Sequence, residues 1–521
     1  MGTYINPGFG NLVVDRREEN YIDKSMMIKE LNSYIGKQDP FICVARPRRF
    51  GKTMSANMIA AYYSKGCDSH EVFEGLKITE ESSFEEHINN YNVIKFDCAN
   101  MSGRRRNGMS TVETIEYYIL SDFREEFPDL SFPEGCDITQ AIQIVYQKKH
   151  ERFVIIMDEY DFLVREENDK ELESYLTFLN VLFKDDTIKN AIALSYITGI
   201  LPIIRDSFQS KLNNFKEFTM VNAKQLAPYM GFTREDTEYL AKKNGMDMEE
   251  FERWYDGYCL NGIELYSPKS VIEAIENRKC GNYWTQTGAY DAVSDYIDMN
   301  IDGLRDDVVL MLSGENIPVT VSTYRNTISG FTQKDEVFAY LIHLGYLAYD
   351  EETATCRIPN NEIKSEIGWV IGSCSRYKNE YEIVKLSKRL LDATIDMDEE
   401  SVATALSKSH ELMTSNMSYN NEQSLQSAIM FAYFYAYNSY TIIPEMPAGK
   451  GYADVVMIPY VPNKPALLIE LKKDKTKGGA IEQIKEKNYP SVLDKYRGNI
   501  IIAGINYDSN TKEHSAIIER A

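Results

Sequence analysis

The sequence predicts an α/β protein: an α/β core at the N-terminal end, a mainly helical middle, and a second, smaller α/β unit at the C-terminal end. Three observations carry this. Short, almost wholly apolar runs at 41–45, 152–157 and 191–197 have strand length, and the first feeds an apolar-periodic segment at 54–63. Two further apolar runs, at 455–458 and 467–471, are separated by a stretch rich in Pro, Asn and Lys that turns the chain back. Between these groups, 233–243, 247–255 and 268–277 place apolar residues three and four apart, as helices packed on a core do. A chain of 521 residues accommodates roughly three to four domains, and the expected divisions are 1–220, 221–330, 331–400 and 401–521.

The run Phe41-Ile-Cys-Val-Ala45 is followed by Arg46-Pro-Arg-Arg-Phe-Gly51-Lys52-Thr53 and then by the periodic segment. Strand, loop and helix in that order form the setting of a phosphate-binding P-loop, in which backbone N–H groups at a helix N-terminus cradle phosphates. Arg48, Arg49, Phe50 and Gly51 would line the loop, Lys52 would reach the β/γ-phosphates of ATP, and the Thr53 hydroxyl would ligate Mg²⁺. GxxxxGK[ST] asks for glycine where this chain has Arg46, so the loop must bend without it, and three arginines are expected around the phosphates. A site without ATP affinity is the alternative that this departure leaves open.

The second strand of the core, Arg152-Phe-Val-Ile-Ile-Met-Asp158-Glu159, ends in two acids. Asp158 at the strand end would hold the Mg²⁺, and Glu159 would polarise the attacking water. A further strand, 191–199, ends at Thr198-Gly199, and Arg205 beyond it reads either as a γ-phosphate sensor or as a surface arginine.

In the middle, Trp254-Tyr-Asp-Gly-Tyr258 reads as core plus a helix stop, with base stacking as the alternative. Residues 334–347, then 348–358 ending at Pro359-Asn-Asn361, read as a helix, a glycine turn and a hairpin, the order of a winged helix. With few basic residues there, a packing role is favoured over DNA binding. The acidic, polar stretch 397–401 is the nearest thing to a hinge.

In the C-terminal unit a strand alternates its side chains, so Glu470 and Lys472 share one face while Leu467, Ile469 and Leu471 fall on the other. Asp454 opens the preceding run, and pairing of the two strands would bring it beside Glu470. Two such carboxylates repel unless a cation lies between them, and hard oxygen ligands suit Mg²⁺ or Mn²⁺. With Lys472 to hold a water or the charge developing on phosphorus, this is phosphodiester-hydrolysis chemistry.

The arrangement resembles the PD-(D/E)xK nuclease superfamily. Asp454, Glu470, Lys472 and Gln483 match its motif in order, and Glu422, on a helix-like segment at 422–437, matches the extra acidic residue many members carry. Over nearly the whole chain, Tyr21-Ile-Asp-Lys-Ser25, Arg46-Pro-Arg-Arg-Phe-Gly-Lys-Thr53, Met157-Asp-Glu-Tyr-Asp161, Trp254-Tyr-Asp-Gly-Tyr258 and Tyr266-Ser-Pro-Lys-Ser270 resemble the bacterial AAA-ATPase-like family that carries such a nuclease domain. Arg46-Pro-Arg-Arg is that family's usual loop. The resemblance implies an AAA-ATPase-like P-loop domain, a helical lid, a winged-helix-like connector and a C-terminal PD-(D/E)xK domain.

The net charge of −22 opposes approach to a polyanion, but residues 411–521 hold twelve acids and twelve bases, so the whole excess falls on 1–410. Lys472, Lys473, Lys475 and Lys477 read either as phosphate contacts or as a solvated loop, and the acidic bulk as a solubilising surface or the face of a protein partner. Eight scattered cysteines fit reduced thiols, six histidines form no cluster, and no segment approaches ~20 uninterrupted apolar residues. No membrane association and a cytoplasmic location are therefore expected. The leading expectation is an ATP-binding, Mg²⁺-dependent nuclease whose nucleotide state gates cleavage. The competing one is a nucleotide-dependent switch whose nuclease-like domain only binds nucleic acid or a protein partner.

Overall fold

A computed structural model describes residues 2–521 except 106–107, 166–168, 204–211, 285–299, 313, 324–329, 374–377, 414–421, 449–450, 462–463, 475–492, 494–495 and 497. The chain divides into two compact units, one of Met1–Gly281 with Pro318–Pro359, the other of Asn282–Ile317 with Asn360–Ala521.

The first unit is built on five parallel strands: β1 (Phe41–Ala45), β2 (Asn92–Asp97), β3 (Phe153–Asp158), β4 (Ile192–Gly199) and β5 (Lys216–Phe218), in the order β2-β3-β4-β1-β5. Their near-continuous apolar sequences follow from burial on both faces. Period-two alternation sorts the side chains into two cores. Phe41, Cys43, Ile155 and Met157 pack with Ile115, Ile142 and Leu176 from helices on one face. Ile42, Val44, Val154 and Ile156 pack on the other face with Ile59 and Tyr63 of the helix Lys52–Tyr63 and with Leu31. The carboxyl ends of β1, β4 and β3 lie side by side, where open parallel sheets place their ligands.

The middle of the chain is less purely helical than the sequence suggests. Beside the helices Arg234–Asn244, Met248–Tyr255 and Pro268–Glu276 it forms a small antiparallel sheet of β6 (Phe232–Thr233), β7 (Tyr258–Leu260) and β8 (Ile263–Tyr266), ordered β6-β8-β7. Leu260 pairs with Ile263 across Asn261 and Gly262, whose φ values of 54° and 76° both lie in the left-handed region. That is the two-residue Asn-Gly hairpin turn, a sequence signal the apolar periodicity around it masks. Trp254, Tyr255 and Tyr258 are buried, as core residues. The helix Lys334–Leu344 stops at Gly345, and Ala348–Asp350 pairs antiparallel with Thr355–Arg357, giving the helix, glycine turn and hairpin read from the sequence.

The second unit carries a five-stranded mixed sheet whose strands, in spatial order, are Tyr440–Ala448, Gly451–Pro459, Ala466–Lys473, Ile500–Asp508 and Glu513–Arg520. All neighbours are antiparallel except Ala466–Lys473 and Ile500–Asp508, which run parallel. The stretch expected to be a hinge is a capped turn between the helices Lys378–Ile395 and Glu399–Met413. Met397 takes φ 59°, and Asp398 accepts the Ser401 N–H (3.1 Å) and hydroxyl (2.6 Å). The helix expected over 422–437 ends at Ala432 and continues as a 3₁₀ turn, Phe434–Asn438. There the Tyr435 N–H leaves the helical ladder to donate to Ser387 Oγ (2.7 Å).

One histidine ties acid stability to this unit. His514 packs on His410 and Tyr507, with its Nδ1 3.4 Å from Ser407 Oγ, and burial followed by the nearby His410 pushes its pKa down to about 3. A folded pKa below the unfolded one means that the unfolded chain binds the extra proton, so stability is lost as pH falls below the ordinary histidine range toward 3. The free energy of urea unfolding of this unit is expected to fall on acidification, by up to about 1.4 kcal/mol per pH unit from this group, and His514→Gln should flatten that slope.

Candidate functional sites

In the first unit the loop after β1 reaches the helix Lys52–Tyr63 through Arg49 (φ 67°) and Gly51 (φ 88°), two left-handed residues that turn the chain so that the helix N-terminus opens beside β3. The Lys52 ammonium donates to the carbonyls of Arg46 (3.2 Å) and Pro47 (3.0 Å) and lies 3.9 Å from Glu159. Burial lowers its pKa against the pull of Glu159, Asp161 and Asp158. Thr53 Oγ1 donates to Asp158 Oδ2 at 2.7 Å. Burial raises the Asp158 pKa, opposed by that hydrogen bond and by Lys52. A hydroxyl and a carboxylate in contact at a helix start and a strand end are the hard oxygen pair that fits Mg²⁺ on a bound nucleotide.

Arg46 corrects the expectation of three arginines around the phosphates. It is fully buried, its Nη1 donating to Ala45 O (2.9 Å) and Phe218 O (3.0 Å), while its own N–H donates to Gly199 O (3.0 Å). It ties the ends of β1, β5 and β4 together under the loop, and burial lowers its pKa to about 10. Arg48 and Arg49 stay half-buried in the loop itself. The Phe50 side chain turns inward, edge-on to Tyr258 at 5.7 Å, and its carbonyl accepts the Gly231 N–H (3.1 Å), leaving backbone as its contribution to a phosphate site.

Glu159 stands at φ 51°, and its carboxylate is held by Arg165. Arg165 also binds Asp161 (3.2 Å), which accepts the N–H groups of Ile200 (3.0 Å) and Leu201 (2.9 Å) at the end of β4. A Cβ on Gly199 would lie 2.4 Å from Asp161 Oδ1, so this approach needs glycine. Burial lowers the Arg165 pKa, but Asp161 and Glu159 outweigh it and the net shift is upward. Sequence reading gave Arg165 and Asp161 no role, because only the left-handed turn at Glu159 brings them back to the site. Arg165→Met keeps the apolar stem but removes the guanidinium that both carboxylates share, leaving the buried Asp161 with backbone N–H donors and Glu159 with the more distant Lys52. A loss of about 3 kcal/mol in denaturant unfolding of this unit is expected.

In the second unit, Val455 pairs with Ile469, so the next register position sets Asp454 opposite Glu470. Asp454 Oδ2 accepts the Leu471 N–H (2.6 Å), and Lys472 Nζ donates to Glu470 Oε1 (3.2 Å). Glu470 is 1% and Lys472 11% exposed, so this charge pair sits in a low-dielectric setting. Glu445, at φ 49°, breaks the ladder opposite Asp454, whose carbonyl accepts instead from Gln426 Nε2 (2.7 Å). Gln426 lies about one turn after Glu422, which opens the helix Glu422–Ala432. Gln483, Arg205, Lys475, Lys477 and the Glu422 side chain lie outside the described residues. Two carboxylates at facing register positions, next to an ammonium, form a donor set that fits Mg²⁺ or Mn²⁺.

The folds and sites thus define a P-loop, ATPase-like unit joined to a nuclease-type mixed sheet. Comparison with known families agrees: residues 12–209 match the family model described as "Predicted AAA-ATPase", and residues 420–516 match that of the PD-(D/E)XK nuclease superfamily. The chain carries a predicted AAA-ATPase domain followed by a PD-(D/E)XK nuclease superfamily domain. A protein of Azotobacter chroococcum mcd 1, described as "Uncharacterized protein in vnfD 5'region", is similar at 21% identity across 94% of this chain and 93% of its own length. Among solved structures, "Structure of Drosophila ORC bound to GC-rich DNA and Cdc6" aligns over 79% of this chain and 72% of that one at 9% identity and a TM-score of 0.20, too low to carry an argument. Among the described residues, no helix is long and apolar enough to cross a membrane.

Proposed function

We propose that the protein is an ATP-binding, divalent-metal-dependent nuclease in which the nucleotide state of the first unit gates cleavage by the second. The observation that carries this is the Asp454 carboxylate on the N–H of Leu471, the residue after Glu470, with Lys472 3.2 Å from Glu470. These carboxylates would hold Mg²⁺ or Mn²⁺, which supplies Lewis acidity toward the scissile phosphate and lowers the pKa of a water. Lys472 holds that water or meets the charge developing on the phosphoryl oxygens, in a site dry enough for one ammonium to matter. Gln426 and the Leu471 N–H fix the backbone and the carboxylate of Asp454, so that its oxygens keep their aim.

In the first unit, the loop amides of Arg48 to Gly51 and the Lys52 ammonium receive the phosphates, and Thr53 with Asp158 would share the Mg²⁺. Glu159, steadied by Arg165, orients the attacking water. Binding of ATP draws Lys52 from the carbonyls of Arg46 and Pro47 to the phosphates, a change at the foot of β1 on which gating would draw. Calorimetric titration with Mn²⁺ tests the nuclease reading directly. Saturable binding that Glu470→Gln removes supports it, while no binding by the natural protein favours a switch that only binds its partner.

A further inference from the structure

The hairpin that carries Asp454 outruns its sheet. Its two strands pair from Tyr440↔Pro459 to Ala448↔Gly451, interrupted only where Glu445 faces Asp454. The Asp454 strand, however, pairs with the Glu470 strand only over Val455–Met457. Residues 446–448 and 451–453 therefore form a two-stranded arm beyond the sheet, with Asp454 at its root. On its other edge the Glu470 strand pairs along its whole length, Ala466 to Lys473, with Ile500–Tyr507. The Asp454 and Glu470 strands part at Asp454, whose carboxylate, in place of a main-chain carbonyl, takes the Leu471 N–H. Beyond Val455, therefore, the arm that carries Tyr452 and the end of the Glu470 strand are not paired with each other, and Asp454 lies where their ladder stops.

Tyr452 stands on that arm two residues from Asp454, on the same strand face and about 7 Å along it. At 61% exposure it is the most exposed large apolar side chain among the described residues. A phenol ring so placed adds little to the core of its own unit. It is the size of a base, it lies about one nucleotide's reach from the carboxylates, and stacking of a base on an aromatic ring is sequence-tolerant and strong. A base inside a duplex is already stacked and paired and must be extracted first, whereas an unpaired base is available.

We propose that Tyr452 stacks on the base next to the scissile phosphate, making an unpaired strand, rather than a blunt duplex, the substrate class of the Asp454–Glu470 site. This rests on the nuclease reading above. Lys472, on the same face of its strand as Glu470, suits a phosphate of the same nucleic-acid strand, since cations track phosphates while an aromatic ring takes bases.

The test uses the full chain carrying Asp454→Asn, which keeps an acceptor for the Leu471 N–H but prevents cleavage, so that affinity is read without turnover. Fluorescence anisotropy compares this parent with Asp454→Asn/Tyr452→Ala and Asp454→Asn/Tyr452→Phe, on labelled single-stranded oligothymidine and on a blunt DNA duplex, in Mg²⁺. Tyr452→Ala should weaken single-strand binding about tenfold and duplex binding less than about twofold, with Tyr452→Phe close to the parent. Equal affinities for the parent and the alanine variant, an equal loss on both probes, or a phenylalanine variant as weak as alanine would overturn the proposal while leaving the nuclease reading in place. A parent that binds neither probe, alongside a natural protein that cuts neither, would remove the nuclease reading and this inference with it.

Discussion

Glu470→Gln is expected to lower metal-dependent cleavage by about 10³-fold, the rate equivalent of the several kcal/mol that a divalent ion contributes at a phosphoryl oxygen. The substitution keeps the shape of the side chain and an oxygen able to accept from Lys472, but removes half of the negative charge that would hold the ion. Because Glu470 is 1% exposed and its partner Lys472 11%, neutralising it also leaves an ammonium without its anion. Some loss of stability, about 1–3 kcal/mol, accompanies the loss of activity. The two effects separate by comparison with Asp454→Asn, where the Leu471 N–H keeps an acceptor and the ammonium keeps Glu470. That variant should be as inactive as Glu470→Gln with an unfolding midpoint close to the natural protein. An active Asp454→Asn protein would contradict the assignment of metal to this pair.

Lys52→Ala is expected to cost the ATPase-like unit about 10²- to 10³-fold in nucleotide turnover, the usual consequence of removing one preorganised cation from a charged transition state. Lys52 is 5% exposed and has Glu159 in ion-pair range, and among the described residues it is the ammonium that the helix N-terminus offers the phosphates. Arg46 cannot replace it, because its guanidinium is fully buried beneath the loop, with Nη1 donating to Ala45 and Phe218. The variant leaves the carbonyls of Arg46 and Pro47 without their donor, so Lys52→Met, which retains the buried stem, is the better-matched control for folding. If gating operates as proposed, either variant also makes cleavage indifferent to added ATP. ATP turnover unchanged in both would show that the loop does not serve phosphates.

The α/β class was legible because its strands are short and apolar on both faces. The strict alternation of Phe41 and Cys43 against Ile42 and Val44 is what fills two cores from one strand. The pairing of the Asp454 and Glu470 strands was legible for a related reason: period-two alternation and a short turn leave few registers for two adjacent strands. Less could be read where a contact depends on one backbone angle or on a distant segment. Gln426 meets Asp454 only because Glu445 breaks the ladder, and Arg165 meets Glu159 only through a left-handed residue. Arg46 looked like a phosphate ligand since sequence reports charge and not direction, and burial under β5 sends it the other way. The small sheet of β6 to β8 was hidden by strands of two to four residues, too short to show a period, although Asn261-Gly262 marked its turn.

The most direct measurement is cleavage of labelled single-stranded DNA, duplex DNA and RNA in Mg²⁺ or Mn²⁺, with and without ATP, by the natural protein and by Asp454→Ala. Metal-dependent cleavage by the natural protein, at a rate that ATP changes, and none by the variant is the expected result. Cleavage that persists in Asp454→Ala, or no cleavage of any substrate in either nucleotide condition, would contradict it.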